Sequence, residues 1–169
     1  AIYIENAENT SINLMAEAKN KLSDGTEAYT GDYADTAVIY AKDDFTIKGE
    51  GSLEINALNQ YAVQCNNDVK FNGGTVNITT DAEDAVRGKK SVTVKDGIIT
   101  IDSAGDGIKS TKGDVSIEGG TVEIKAKNDA VQAETTIDIS GGKITAGGDR
   151  GLTAVTAVNI TGGTVVATA

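Results

Sequence analysis

The chain has 169 residues and a formal net charge of −10, and it contains no histidine, no proline and a single cysteine. The lack of histidine excludes His-based zinc sites and catalytic triads with a histidine base, and one cysteine excludes an intrachain disulfide. The acidic excess argues against nucleic-acid binding through phosphate contacts, and no stretch approaches the roughly 20 apolar residues of a membrane-spanning helix.

The N-terminal part of the chain predicts an irregular first coil. Residues 1–4 resemble residues 37–40, and Ile12 and Leu14 are expected to face inward as a pair. Residues 16–34 are polar and are expected to leave this coil as a long loop. We therefore expect residues 1–169 to form a single β-helix domain with an irregular first rung and a polar insertion at 16–34.

One sequence unit recurs along the rest of the chain. Glycine-containing turns begin at Gly73, Asp96, Gly119, Gly141 and Gly162, at intervals of 23, 23, 22 and 21 residues, and residues 50–52 extend the series. A short segment of alternating apolar and polar residues precedes each turn and another follows it, which indicates two strands. Glycine suits the turn because a sharp change of direction between strands requires positive φ.

A third strand completes each unit. Its apolar residue in successive units is Val38, Val63, Val86, Ile108, Val131 or Leu152. Three strands per unit describe a triangular coil, and coils stacked at about 4.8 Å share one apolar interior. The sequence therefore predicts an all-β fold, a right-handed parallel β-helix of about six rungs of three short strands. A leucine-rich repeat lacks its defining residues here, and a β-sandwich would not keep one corner sequence at one spacing.

An acidic residue recurs two positions before the apolar residue of the third strand. Asp84, Asp106 and Asp129 hold this position in three consecutive coils, and carboxylates about 5 Å apart repel each other by about 1 kcal/mol in water. Such a column favours a bound cation, and calcium accepts oxygen ligands in loose geometry. The alternative is that the aspartates only cap backbone amides at the corner. The predicted calcium ligands are Glu83, Asp84, Asp106, Asn128, Asp129 and Asp149.

The third strand also predicts a binding strip. An extended glycan suits a shallow strip edged by long polar and cationic side chains, although a solvated face without a ligand is the alternative. The tyrosines gather in the N-terminal part of the chain, where a small patch of rings is a further candidate. A floor of small residues is expected at Ala62, Ala85, Gly107, Ala130 and Gly151, and the predicted ligand-binding residues beside it are Gln64, Arg87, Lys109 and Gln132, with Thr153 in the same row.

Three motifs carry a family resemblance. Residues 43–47 (Asp-Asp-Phe-Thr-Ile), 105–110 (Gly-Asp-Gly-Ile-Lys-Ser) and 115–121 (Val-Ser-Ile-Glu-Gly-Gly-Thr) resemble secreted clostridial carbohydrate-binding proteins with a polysaccharide-lyase-like, or pectate-lyase-like, β-helix. The resemblance runs from about residue 37 to residue 169. The resemblance implies that calcium is bound along the helix and that the protein is extracellular, either secreted or attached to the cell surface. It also implies binding of cellulose and acidic pectic glycans such as polygalacturonate, without established lyase activity. Asp84, Asp106 and Asp129 fit the repeated acidic corner, and Asp149-Arg150 departs from it by one residue.

Three functions are compatible with these patterns. The first is non-catalytic, calcium-assisted binding of plant cell-wall polysaccharide by a monomer, with no catalytic residue assigned. The second is a pectate lyase in which calcium acidifies the substrate and Arg87 or Lys109 removes the proton, although the regular strip lacks long loops to build a pocket. The third is a structural adhesion solenoid without affinity for glycans.

Overall fold

The computed structural model describes residues 1–25, 27 and 37–169, and all regular structure in these residues is β-strand. The strands are β1 (Ile2–Ile4), β2 (Asn9–Leu14), β3 (Lys19–Ser23), β4 (Ala37–Ala41), β5 (Asp44–Ala57), β6 (Tyr61–Cys65), β7 (Asp68–Thr80), β8 (Val86–Gly88), β9 (Ser91–Ser103), β10 (Ile108–Ser110), β11 (Asp114–Ile117), β12 (Thr121–Ala126), β13 (Asp129–Ala133), β14 (Thr136–Ile139), β15 (Lys143–Gly147), β16 (Arg150–Ala154), β17 (Ala157–Ile160) and β18 (Thr164–Thr168).

Parallel strands from successive coils stack into two sheets. The first sheet has the order β1-β4-β6-β8-β10-β13-β16, and it contains one strand from each coil. The second sheet bends at the glycine corner: β5, β7 and β9 continue through the bend, whereas later coils divide there into strand pairs such as β11 and β12. Each coil thus has one side in the first sheet and two in the second. The predicted all-β parallel solenoid of about six coils is confirmed.

Backbone packs directly on backbone at the glycine corner. Gly120 has a φ of 78°, and a Cβ atom added to it would lie 2.6 Å from the carbonyl oxygen of Gly97 in the preceding coil. Both the positive φ and the close approach exclude a side chain at this position. The recurring glycine is therefore required by the stacking of coils as well as by the turn.

The core is one continuous cluster of buried side chains along the solenoid. Direct register aligns residues of like size, as in the ladder formed by Val69, Val92, Val115 and Ile137. All four are fully buried, and burying a side chain of this kind contributes about 1.5–3 kcal/mol relative to its exposure. The apolar alternation found in the sequence therefore sets both the inward face and the register. No described residue belongs to a helix long and apolar enough to cross a membrane.

The first coil differs from its prediction in two respects. The expected loop over residues 16–34 is wrong at its start, because Lys19–Ser23 forms β3 and pairs with β5 through Leu22, which packs against the core. Residues 26 and 28–34 of this predicted loop lie outside the described part of the chain. The predicted alignment of Val38 with Val63 is also wrong by one residue, since Ile39 pairs with Val63.

Candidate functional site

One outward-facing residue from each strand of the first sheet forms a continuous row, which we call the outward row. Direct parallel pairing joins its members from coil to coil, so the row follows the axis of the solenoid. It contains all four predicted ligand-binding residues and two tyrosines that precede them. The members of the outward row are Tyr3, Tyr40, Gln64, Arg87, Lys109, Gln132 and Thr153.

The N-terminal end of the outward row is aromatic. The rings of Tyr3 and Tyr40 stack with centroids 4.8 Å apart and planes inclined by 12°. Asn66 donates a hydrogen bond of 2.7 Å from its Nδ2 to the Tyr40 hydroxyl. The predicted ring patch near the N-terminus thus includes two tyrosines of the outward row, while Tyr29 and Tyr33 lie outside the described residues.

Arg87 is supported by a tyrosine. Its guanidinium lies over the ring of Tyr61, 4.9 Å from the centroid, and one of its N–H groups donates to the Tyr61 hydroxyl. Burial raises the pKa of Tyr61 above its ordinary value. Among the described residues no carboxylate lies within ion-pair distance of Arg87. The guanidinium is therefore oriented by an uncharged partner and keeps its positive charge available to a ligand.

Lys109 has the opposite environment. Its Nζ lies 2.6 Å from Oδ2 of Asp106 and 3.9 Å from Oδ2 of Asp84. Both carboxylates are buried, so the ammonium is balanced by the protein itself. The sequence prediction placed Lys109 and Arg87 in one cationic row, but of these two only Arg87 is without an ion pair to a described carboxylate.

Three members of the outward row carry an unpaired buried oxygen. Oε1 of Gln64, Oε1 of Gln132 and Oγ1 of Thr153 are inaccessible to solvent and have no hydrogen-bond partner in the described part of the chain. An unpaired buried polar group costs about 1–3 kcal/mol. All three residues are half-buried, so a rotation of the side chain would bring these oxygens to the hydroxyl groups of a ligand, which makes the outward row a candidate site for a sugar polymer.

The acidic column is satisfied by groups of the protein. Oδ1 of Asp84 accepts the backbone N–H of Asp106 at 2.8 Å, and Oδ1 of Asp106 accepts that of Asp129 at 2.9 Å. Asp129 in turn accepts two hydrogen bonds from Arg150, at 2.7 Å from Nε and 2.8 Å from the terminal nitrogen. Burial raises the pKa of Asp84, against the opposing effect of the Asp106 amide. Each carboxylate thus links its coil to the next.

The predicted calcium ligands do not assemble into a site among the described residues, where no group of three or more Cys, Asp or Glu side chains could hold a metal ion. Glu83, Asn128 and Asp149 have exposed side chains, whereas the column aspartates turn inward toward amides. The oxygens that calcium would need are bound by amides, Lys109 and Arg150. This geometry matches the alternative in which the aspartates cap amides at the corner.

The small residues beside the column are buried, so the prediction of an accessible floor is wrong. Ala62, Ala85 and Ala130 are fully buried, and a Cβ atom added to Gly107 would lie 2.3 Å from Cγ2 of Ile124. The chain turns a corner here, and the strict alternation of inward and outward residues is interrupted. These positions are small because the interior narrows at the corner, and they add no accessible surface beside the outward row.

A second group of basic residues was missed from the sequence. Lys89 and Lys112 lie beside Arg87 and Gln64, around a depression of about 380 Å³ where the first sheet ends. They follow the third strand, beyond the segment whose alternation was compared between coils. The recurrence of a basic residue one position after β8 (Lys89) and two positions after β10 (Lys112) was the available signal.

Comparison with known proteins places this fold in a family. The family described as carbohydrate-binding domain-containing protein matches residues 1–169. The chain belongs to this family. A carbohydrate-binding domain-containing protein from Acetivibrio thermocellus is 38% identical over 80 residues, which are 46% of this chain and 28% of that protein. The match therefore spans less than a third of the length of that family member.

A solved structure shows the same fold. The polysaccharide lyase-like protein from C. thermocellum, determined as a gadolinium derivative, superposes with a TM-score of 0.77 and 31% sequence identity. The superposition covers 96% of this chain and 71% of the other. The resemblance to carbohydrate-binding proteins with a polysaccharide-lyase-like solenoid is therefore confirmed.

Proposed function

We propose that this chain binds an acidic plant cell-wall polysaccharide such as polygalacturonate, outside the cell and without cleaving it. The observation that carries the proposal is the outward row, in which aromatic, cationic and unpaired polar groups follow one another in direct register along the solenoid. Membership of the carbohydrate-binding family supports it. The polymer would lie parallel to the solenoid axis and meet one row position per coil, at intervals of about 4.8 Å.

The members of the outward row would make different kinds of contact with the polymer. Arg87 supplies charge-assisted hydrogen bonds to a uronate carboxylate, for which a planar guanidinium is well suited. Gln64 and Gln132 would accept hydrogen bonds from sugar hydroxyls once their half-buried side chains rotate the unpaired oxygens toward the ligand. Tyr3 and Tyr40 offer their stacked rings at the N-terminal end, where a neutral chain such as cellulose would also find contacts.

Stabilisation of the fold by calcium is a separate proposal. Lys109 and Arg150 form ion pairs with the aspartates that were predicted to bind the cation. A folded-state ligand raises the melting temperature by mass action. A higher melting temperature in calcium than in EDTA, abolished by Asp106→Ala, would support calcium. Equal melting temperatures would leave the ion pairs with Lys109 and Arg150 as the whole charge balance of the column, and the observed contacts favour this second result.

A lyase is the alternative function. Arg87 is held by Tyr61 and Lys109 by two aspartates, so both candidate bases are engaged by groups of the protein. We expect no rise in ultraviolet absorbance from unsaturated uronates when the protein is incubated with polygalacturonate and calcium. A sustained rise that Arg87→Ala abolishes would assign the chain to the lyases.

Affinity electrophoresis in gels containing polygalacturonate tests the proposal. Arg87→Gln removes the charge from the row, and Lys143→Gln removes one charge from the exposed second sheet as a matched control. We expect Arg87→Gln to weaken binding about tenfold, because a charge-assisted hydrogen bond contributes about 1.5–3 kcal/mol, and Lys143→Gln to bind as the parent protein does. Equal retention of both variants and the parent would show that the polymer does not use the outward row.

A further inference from the structure

We propose that the depression beside the outward row is a subsite for an anionic substituent of the bound glycan, a carboxylate or a sulfate ester. The inference rests on the proposed function and extends it from a row of contacts to a defined place for negative charge. The depression has a volume of about 380 Å³ and lies where β6, β8 and β10 end. Its polar and charged walls come from Gln64, Asn66, Arg87, Lys89, Thr111 and Lys112.

The charge of the depression is opposite to that of the whole chain. Three of its side chains are cationic and none is a carboxylate, although the chain carries a net charge of −10. Arg87, Lys89 and Lys112 form no ion pair with any described carboxylate. Three uncompensated cations around one concave surface attract an anion more strongly than the same charges spread over a flat face.

The polar groups of the depression select for a sugar. Gln64 lines the depression and is half-buried, and its Oε1 has no partner in the described part of the chain, so a rotation of the side chain would let this oxygen accept from a ligand hydroxyl. Asn66 is held by its hydrogen bond to Tyr40, which joins the depression to the aromatic end of the row. A free inorganic anion has no hydroxyl donor for the Gln64 oxygen, whereas an acidic sugar provides hydroxyl donors and a negative group together.

The depression spans three consecutive coils. Asn66, Lys89 and Thr111 occupy equivalent positions, because the N–H of Lys89 bonds to the carbonyl of Cys65 and that of Thr111 to the carbonyl of Gly88. Lys89 and Lys112 therefore approach one ligand group from neighbouring coils. A polymer that follows the outward row would present its charged substituents to this edge of the first sheet.

Isothermal titration of two double variants with three ligands tests the subsite. Lys89→Ala with Lys112→Ala removes two lysines of the depression, and Lys90→Ala with Lys127→Ala removes two exposed lysines outside it. The ligands are oligogalacturonate, its fully methyl-esterified form and a sulfated galactan oligosaccharide. Both variants lose the same charge, so any difference between them reports position.

We expect the depression variant to bind at least one of the two charged ligands at least about tenfold more weakly than the control variant, because two charge-assisted contacts are lost. Binding of the neutral ester should be equal in both variants. The charged ligand that is affected identifies carboxylate or sulfate as the recognised group. Equal binding of the charged ligands by both variants would overturn the proposed subsite but not the proposed role of the outward row. A parent protein that binds none of the three ligands would overturn the proposed function together with the subsite.

Discussion

Asp84, Asp106 and Asp129 connect neighbouring coils and also form ion pairs with surface cations. Each is buried, and the first two accept the backbone amide of the equivalent residue in the next coil. Breaking such a buried charged hydrogen bond costs about 1.5–3 kcal/mol. Lys109 and Arg150 then supply the opposing charge, so the column holds the coils in register and also fixes two cations at the surface.

Asp84 is expected to make stability depend on pH. Burial raises its pKa in the folded protein, so between the ordinary value of about 3.9 and the raised value the folded state binds more protons than the unfolded state. The contribution of Asp84 to the free energy of unfolding therefore falls as the pH rises through this interval. Asp84→Asn keeps an oxygen for the Asp106 amide and cannot ionise.

Urea unfolding of the parent protein and Asp84→Asn between pH 4 and about pH 7 measures this contribution. The stability of the parent relative to the variant should decrease as the pH rises. A constant difference over this range would show that Asp84 titrates alike in both states.

At the level of the coil, the glycine corner sets how closely neighbouring strands approach. Gly120 combines positive φ with a backbone carbonyl 2.6 Å from the place of a Cβ atom. A Cβ atom added to Gly147, in β15, would lie 3.4 Å from the Thr168 hydroxyl oxygen and 3.7 Å from the carbonyl oxygen of Ile124, and Gly147 has no positive φ. The two glycines therefore provide a matched pair within one solenoid.

Gly120→Ala should lower the free energy of unfolding by about 1–3 kcal/mol, through backbone strain and overpacking. Gly147→Ala should change it by less than about 0.5 kcal/mol. Denaturant midpoints of the two variants test this expectation, and equal midpoints would mean that the corner relaxes without cost.

The coil could be predicted from the sequence because its apolar alternation and its glycines repeat at nearly constant spacing. The outward row followed from the same alternation, and Gln64, Arg87, Lys109 and Gln132 do lie in one row. Positions where the alternation breaks could not be read in this way: Ala85 and Gly107 turn inward at a corner. Nor does sequence spacing reveal that Lys109 is balanced by Asp106, since that requires the distance between their side chains.

On the scale of the whole molecule, the charge is unevenly distributed. A net charge of −10 repels an acidic polymer at long range, whereas the basic depression attracts it locally. Salt screens both effects, and at 0.1 M ionic strength the screening length is about 10 Å. The balance between attraction and repulsion therefore depends on the salt concentration and on the cationic side chains of the depression.

Salt should weaken the binding of oligogalacturonate to the parent protein, because the local ion contacts dominate its affinity. In the variant that lacks Lys89 and Lys112, the remaining long-range repulsion should make this dependence flatter or reverse it. Dissociation constants measured over a series of sodium chloride concentrations distinguish the two cases. The same slope in both proteins would place the attraction outside the depression.

Because each coil pairs only with its two neighbours, coils can be added to the solenoid without altering the contacts within the existing ones. An in-frame duplication of 22 or 23 codons would add one strand to each side of the solenoid, one step to the core ladders and one position to the outward row. The footprint on a polymer would grow by about 4.8 Å with each such event. Gene duplication thereby becomes a direct route to higher avidity, since further contacts with the same chain are made at high effective concentration.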